Sequence, residues 1–407
     1  MVKYQWEFRK RLRARAFSWR SSALACQRIK EAVSEIKKVS RSDLPVGAEG
    51  AVIFFEKLVP AIEEVDSSSG ALGSATNKAM SDLLPLIAKA QVDDKTHKKW
   101  IDRLWTAFMD DGYGYLDDLG DHWGMICKSK ETASMWADRL MKPTTLNLTS
   151  SGNYFKGTAA CLSCLLVAER FGELMDLLDS DVHQSWYYRK FGVQAFLALG
   201  KKSEALKYAE NSKGLNEPES AIAQACEDIL ISSGMYDEAY KRYAFKANQK
   251  NSYLATYRSI AKKYPHLKPE IILSDLIRYS VGAEGKWFAT AKDLGFLDLA
   301  ADLAMIGPCD PLTLKRAAVD KAESAPSFSL KVTKAALYWM VRGQFYEITS
   351  LDIVSTLNLA WKISASLSST EELLAWLLDQ VEKNPNGERF VLQELEEFIK
   401  MQQNQMG

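Results

Sequence analysis

The stretch Ser233-Gly-Met-Tyr-Asp-Glu-Ala-Tyr-Lys-Arg-Tyr243 decides the fold of this chain. Gly234 lies between two segments of helical periodicity, where a left-handed residue without a side chain can end a helix. Ala239 follows five residues later, and its small side chain lets two helices cross closely. The stretch therefore predicts a helical hairpin that turns at Gly234 and crosses at Ala239.

The same pair of residue types recurs along the chain. Gly200 and Ala205 lie 34 residues before Gly234 and Ala239, and Gly295 with Ala300 repeats the five-residue offset. Two further glycines, Gly172 and Gly343, begin similar stretches. This recurrence predicts an array of helical hairpins.

Four residues carry a resemblance to a known family. Gly234, Tyr236, Ala239 and Tyr243 match the turn and second-helix positions of the tetratricopeptide repeat, a 34-residue helix–turn–helix unit. The spacing of the marker glycines is irregular, so the chain resembles a degenerate, tetratricopeptide-like array over residues 155–350. The resemblance implies an α-solenoid whose concave face binds a ligand.

Composition supports an all-α protein. The chain has 407 residues, of which only 22 are glycine and 11 proline, and this shortage of turn residues favours helices with short connections. Hydrophobic residues make up 47% and charged residues 26%, which excludes a long disordered chain or a disulfide miniprotein. Small and polar stretches predict linkers at 66–76 and 142–157. We therefore predict an N-terminal helical region over 1–142 and a repeat array over 158–407.

The N-terminal forty residues have a net charge of +8 in a chain whose net charge is zero. They contain eleven cations and three anions, and Phe8, Leu12 and Phe17 among them suit an amphipathic first helix. A basic arm can contact nucleic acid, an acidic protein or only solvent, and an Arg-rich start is also typical of a mitochondrial transit peptide. Trp6 and Trp19 flank the cations as stacking residues would. The candidate nucleic-acid contacts are Arg9, Lys10, Arg11, Arg13, Arg15 and Arg20.

The segment Asp110–His122 gathers carboxylates around three glycines. One interpretation is a solvated loop with helix caps at Asp117 or Asp118. A second is an acidic partner-binding loop, to which its tyrosines and Trp123 would contribute. A third is a metal site in which His122 joins the carboxylates. The candidate partner-binding residues of the loop are Asp110, Asp111, Asp117 and Asp118.

Three consecutive aromatic residues form the second candidate surface. Trp186, Tyr187 and Tyr188 cannot all face inward on a helix with 3.6 residues per turn. At least one of them is therefore expected to be exposed, as on the ligand-facing side of a solenoid.

The cysteines give no sign of a metal or disulfide framework. Cys161-Leu-Ser-Cys164 has the spacing of half a zinc site or of a redox pair, but no second pair follows it. We expect two buried cysteines on a packed helix, and neither metal nor cofactor. No apolar run approaches 18 residues, so no membrane span is predicted, and a reducing cytoplasm fits best.

Catalytic motifs such as Gly-x-Ser-x-Gly and His-Glu-x-x-His are absent from the sequence. The sequence therefore favours a non-catalytic cytoplasmic scaffold or adaptor that binds another protein within a larger complex. The alternatives are a nucleic-acid-associated subunit that uses the basic arm and a metal-dependent helical enzyme centred on the acidic loop.

Overall fold

The computed structural model describes residues 4–150, 154–182, 184–212, 214 and 216–406. In these ranges all regular structure is helical, which confirms the predicted all-α class. Most packing joins helices that are neighbours in the chain, as in a helical solenoid. None of the described helices is long and apolar enough to span a membrane.

The helices divide into two compact units, Met1–Ile229 and Leu230–Gly407. Those before the repeats are α1 (Phe8–Arg11), α2 (Ser22–Ser40), α3 (Leu44–Ile62), α4 (Ala71–Lys89), α5 (Asp94–Asp110), α6 (Asp118–Asp121), α7 (Trp123–Ile126) and α8 (Lys130–Thr149). They are followed by α9 (Thr158–Val167), α10 (Phe171–Asp179), α11 (Trp186–Ala198), α12 (Lys202–Glu210), α13 (Glu219–Ser232), α14 (Tyr236–Ala247), α15 (Tyr253–Lys263) and α16 (Pro269–Tyr279). After a 3-10 turn at Glu284–Trp287 come α17 (Phe288–Asp293), α18 (Leu297–Ile306), α19 (Pro311–Lys321), α20 (Pro326–Val341), α21 (Ser350–Ser366), α22 (Thr370–Lys383) and α23 (Arg389–Met406).

Both predicted linkers are shorter than expected. The first linker ends at Gly70, because α4 already begins at Ala71. Helix α8 continues through Pro143 to Thr149 and packs on α9, so the composition-based division at 142–158 falls within the first unit. Two of the threonines that suggested a linker bond to the preceding helical turn: Thr145 Oγ1 donates to the Met141 carbonyl at 3.0 Å, and Thr149 Oγ1 donates to the Thr145 carbonyl at 2.7 Å.

The core of the N-terminal helices depends on close approaches at glycine. A Cβ atom at Gly50 on α3 would lie 2.2 Å from the Trp6 ring, so that ring packs directly on the helix backbone. Trp6 then contacts the ring of Phe8, which meets Phe54 edge-on. This packing buries Trp6 and removes it from the predicted set of exposed stacking residues.

Four helix pairs in the described ranges share one turn conformation. The residue that ends the first helix is left-handed at Glu169, Gly200, Gly234 and Gly295, with φ of 58°, 75°, 76° and 86°. The next residue donates its N–H to the carbonyl five positions back, from Arg170 to Leu165, Lys201 to Phe196, Met235 to Leu230 and Phe296 to Ala291, at 2.8–2.9 Å. That residue also has φ near −85° and ψ near 60° and begins the following helix.

The predicted marker alanines lie at the crossings of these pairs. Ala205, Ala239 and Ala300 are fully buried, and Leu174 occupies the same place in the α9–α10 pair. The hairpin interpretation of the Gly–Ala spacing is confirmed at these three sites.

Two other glycines, which the sequence predicts as turn positions of the same kind, do not join two helices by this turn. Gly172 lies inside α10, and the left-handed position of that turn belongs to Glu169, three residues earlier. Gly343 is left-handed, with φ of 67°, but the next helix begins only at Ser350. A glycine in the sequence is therefore neither required nor sufficient for this turn.

Helix starts follow the sequence signals in part. Pro269 and Pro311 begin α16 and α19, as their position after Lys268 and Asp310 predicts. A capping box is present at the start of α21, where the side chains and backbone N–H groups of Thr349 and Asp352 bond reciprocally. Ser369, which sequence favours as a similar cap of α22, makes no capping bond and donates to the Ser364 carbonyl instead.

Candidate functional site

A buried carboxylate organises the acidic loop between α5 and α6. Asp111 accepts the backbone N–H groups of Tyr113, at 3.0 Å, and Leu116, at 2.7 Å. The ammonium group of Lys156, which lies just before α9, is 3.4 Å from Asp111 Oδ2 and 3.3 Å from Asp117 Oδ1. The loop is therefore fixed by one buried aspartate and one lysine from another segment.

The predicted helix caps of the loop are not formed. Asp117 immediately precedes α6, but it has helical backbone angles and its side chain makes no capping bond. Its carboxylate instead faces Lys156. Asp118 is the first residue of α6 and is half-buried, while Asp110 is exposed at the end of α5.

A second ion pair ties the loop to α11. Asp121 at the end of α6 bonds to the ammonium group of Lys190. Burial raises the pKa of the Asp121 carboxyl, and Lys190 opposes that shift. The second carboxylate oxygen, Oδ1, is buried and has no hydrogen-bond partner among the described atoms. Asp121 is thus a partly buried carboxylate whose negative charge is balanced by Lys190.

Helix α11 places the three aromatic residues on different sides. Trp186 is buried, Tyr188 is half-buried and Tyr187 is 40% exposed, which confirms that they cannot all face inward. Ser185 begins the helix by accepting the Tyr187 N–H. The Lys190 ammonium lies 4.5 Å above the Tyr187 ring, in a cation–π contact.

The two candidate surfaces of the sequence meet at this point. Burial is the main cause that raises the pKa of Tyr187, and the negative charges of Asp121 and Asp117 raise it further. Asn147 of α8 donates to the Tyr188 hydroxyl at 3.4 Å and to Thr158 Oγ1 at 3.0 Å. We call this region the tyrosine–aspartate surface, defined by Tyr154, Tyr187, Tyr188, Asp117, Asp118 and Asp121.

Sequence reasoning missed the two lysines and the asparagine that hold this surface together. Lys190 had a detectable signal, because a residue three positions after Tyr187 shares its side of a helix. Lys156 and Asn147 had none, since their partners lie in segments that only the fold brings close.

The basic arm forms less helix than predicted. Helix α1 has four residues, and Glu35 of α2 holds its start by accepting the N–H groups of Glu7 and Phe8. The chain then continues without regular helix to Ser22, with Leu12 and Phe17 buried.

Half of the arm's candidate cations are paired within the chain. Arg11 bonds to Glu31 at 2.7 Å, Arg15 lies within 3.4 Å of Glu63 and Glu64, and Lys10 lies 3.4 Å from Glu7. Within the described ranges, Arg9, Arg13 and Arg20 are exposed and make no ion pair. Trp19, which precedes Arg20 in the sequence, is 64% exposed.

The side chains available for a metal are already engaged. Lys156 pairs with Asp111 and Asp117, and Lys190 pairs with Asp121, while His122 is exposed. Across the described part of the chain, no three His, Cys, Asp or Glu residues are grouped so that they could hold a metal.

The predicted burial of the paired cysteines is confirmed. Cys161 and Cys164 are both buried on α9, and Cys127 packs against Cys164 with 3.9 Å between the sulfur atoms. Burial raises the pKa of the Cys161 thiol to about 11, and the contact with Cys127 together with burial raises that of Cys164. Both thiols are therefore protonated and poorly nucleophilic at neutral pH.

Comparison with known proteins adds no identity: no protein-family model matches this chain, and no curated protein matches it.

Proposed function

We propose that this protein is a non-catalytic adaptor that uses a tetratricopeptide-like helical array to hold a partner protein. The four identical turns and the buried residues at their crossings support the repeat interpretation. Such arrays serve as binding platforms because stacked hairpins present a continuous surface.

The tyrosine–aspartate surface carries the proposal. It combines half-exposed tyrosines with charged groups at one place, and tyrosines anchor many protein interfaces because they offer a large rigid ring and one polar tip. Its ion pairs with Lys156 and Lys190 hold it in shape before a partner arrives. A preformed surface loses little conformational entropy on binding.

The test is affinity capture from an extract of the source cells with three forms of the intact chain. The first is the natural protein, and the second is the surface variant Tyr187→Ala/Asp118→Lys. The third is a matched control, Tyr346→Ala/Asp298→Lys, which makes the same changes at two highly exposed positions of the second unit. Circular dichroism and thermal melting establish that all three are folded.

We expect the natural protein and the control to retain the same partner and the surface variant to lose it at least about tenfold, a change of 1.4 kcal/mol in binding. A partner retained equally by all three forms would exclude the tyrosine–aspartate surface as its binding site. An absence of any specific partner would contradict the adaptor proposal.

One observation favours nucleic-acid association as the second candidate. Arg9, Arg13 and Arg20 are exposed and unpaired within the described residues, and Trp19 is exposed with them. Free arginines can neutralise phosphates, and an exposed indole can stack on a base. The same chain could thus contact single-stranded nucleic acid through its N-terminal segment.

The structure determines how this second candidate is tested. Removal of residues 1–20 would delete the buried side chains of Trp6, Phe8 and Phe17 and expose the core residues that they cover. Charge reversal of the exposed arginines is therefore the better change. Labelled single- and double-stranded DNA and RNA are titrated with the natural protein and with Arg9→Glu/Arg13→Glu/Arg20→Glu, at about 50 and 200 mM salt. Binding that falls steeply with salt and disappears in the variant supports the candidate. Binding that is equal in both proteins, or absent from both, rejects it.

A further inference from the structure

An open groove runs between α2 and α4 in the first unit, and none of the residues that line it belongs to the tyrosine–aspartate surface. Its volume is about 890 Å³. Ile29 and Val33 on α2 and Ala75 and Ala79 on α4 line its apolar floor. The small residues of α4 leave the space that longer side chains would fill.

The rims of the groove are almost entirely cationic. The charged side chains that line it are Lys30, Lys37, Lys38 and Arg41 from α2 and its end, and Lys78 and Asp82 from α4. Asp82 is the single acid of this set, and it is already bonded to Lys78 at 3.0 Å and lies 3.5 Å from Lys37. Lys30, Lys38 and Arg41 make no ion pair within the described residues, so the groove has a net positive charge.

The dimensions of the groove suit a helix. Helices α2 and α4 each contain 19 residues, a length of about 28 Å. A third helix laid along them would bury an apolar stripe on the floor and bring its flanking residues to both rims. Because the rims are positive, those flanking residues would have to be acidic.

Nucleic acid fits the same surface less well. Among the described residues no aromatic side chain lines the groove, so bases would have no stacking platform.

We propose that the α2–α4 groove is a docking site for an acidic amphipathic helix of a partner protein. The site is separate from the tyrosine–aspartate surface and its test is independent of that proposal.

The test uses a fluorescent acidic peptide of about 18 residues, with leucines spaced i, i+3, i+4 and i+7 and glutamates on both sides of them. A scrambled peptide of the same composition and a labelled oligouridine serve as comparison probes. Polarisation is measured with the intact protein and with Lys30→Glu/Lys38→Glu/Arg41→Glu. The matched control, Lys95→Glu/Lys98→Glu/Lys99→Glu, makes the same charge change on exposed positions of α5.

We expect the amphipathic peptide to bind at least about tenfold more tightly than the scrambled peptide. The groove variant should lose at least about tenfold in affinity, whereas the α5 control should change by less than about threefold. A second variant, Ala75→Trp, fills the floor without a change of charge and should also abolish binding.

Cys26 provides a readout at the site itself. It lines the groove and is partly exposed, whereas Cys309 is partly exposed in the second unit. The amphipathic peptide should slow maleimide labelling of Cys26 and leave labelling of Cys309 unchanged.

Three results would overturn the proposal. Equal affinity for the amphipathic and the scrambled peptide would mean that binding depends only on the net charge of the peptide. Loss of affinity in the α5 control as large as in the groove variant would place the contact elsewhere. Binding of oligouridine that protects Cys26 and disappears in the groove variant would assign the groove to nucleic acid.

Discussion

The α2–α4 groove and the tyrosine–aspartate surface lie in the same unit and use their charges in opposite ways. In the groove, Lys30, Lys38 and Arg41 face no acid among the described residues. On the tyrosine–aspartate surface, Lys156 and Lys190 form ion pairs with Asp117 and Asp121. The sequence alone does not show that these carboxylates have cationic partners. The comparison shows that a run of like charges reveals the sign of a region but not whether the fold neutralises it.

The largest effect should follow loss of the buried carboxylate at Asp111. Asp111→Ala leaves two loop N–H groups without their acceptor and removes the buried carboxylate that faces the ammonium group of Lys156. We expect the free energy of unfolding to fall by about 3 kcal/mol, as when a buried ion pair loses one partner. Urea denaturation measures this change. Asp110→Ala, one residue earlier and exposed, is the control and should change stability by less than about 0.5 kcal/mol.

Equal stability of Asp111→Ala and Asp110→Ala would mean that the charges at the tyrosine–aspartate surface do not support the fold. The contrast between this surface and the α2–α4 groove would then be wrong.

A smaller, pH-dependent effect should follow removal of Lys190. Burial raises the pKa of Asp121 in the folded state, so ionisation of this carboxyl costs stability as pH rises through that pKa. Lys190→Met removes the charge that opposes the shift. We expect a loss of about 2 kcal/mol at pH 7 that becomes smaller near pH 4, where the carboxyl begins to bind a proton in both states. Thermal unfolding across this pH range measures the difference.

The control for this experiment is Lys99→Met on the exposed side of α5. A loss in Lys190→Met that is independent of pH would contradict the role of the Asp121 charge.

The smallest effects should come from the groove. Lys30→Met, Lys38→Met and Arg41→Met each remove a cation that repels its neighbours and pairs with no acid in the described part of the chain. We expect each substitution to change the free energy of unfolding by less than about 0.5 kcal/mol, with a small gain at low salt. Chemical denaturation at two ionic strengths measures this. A loss above 1 kcal/mol in any of them would reveal a structural role and weaken the contrast between the two surfaces.

The sequence predicted the hairpins well because their signals are local. The glycines at 200, 234 and 295 and the alanines five residues later require only the shape of one turn and one crossing. The errors have local causes too. Glu169 adopts a left-handed conformation that is most common for glycine. Thr145 and Thr149, which follow Pro143, bond their hydroxyls to carbonyls of the preceding turn inside a helix.

The candidate sites were less predictable because they depend on contacts between distant segments. Tyr187 and the acidic loop were each singled out, yet nothing in their spacing indicates that Lys190 contacts both the Asp121 carboxylate and the Tyr187 ring. The α2–α4 groove was not predicted at all. Its cations are recognisable in the sequence, but its floor exists only because the alanines of α4 face α2.

The shared turn has a consequence for how the chain folds. Each of the four turns closes with a backbone bond that spans six residues, and the residue that donates this bond also begins the next helix. A hairpin can therefore form before any distant contact does, and the loop-closure entropy at each step is small. Because low contact order accompanies rapid folding, we expect these pairs to assemble quickly, with the long-range ion pairs of the first unit closing last.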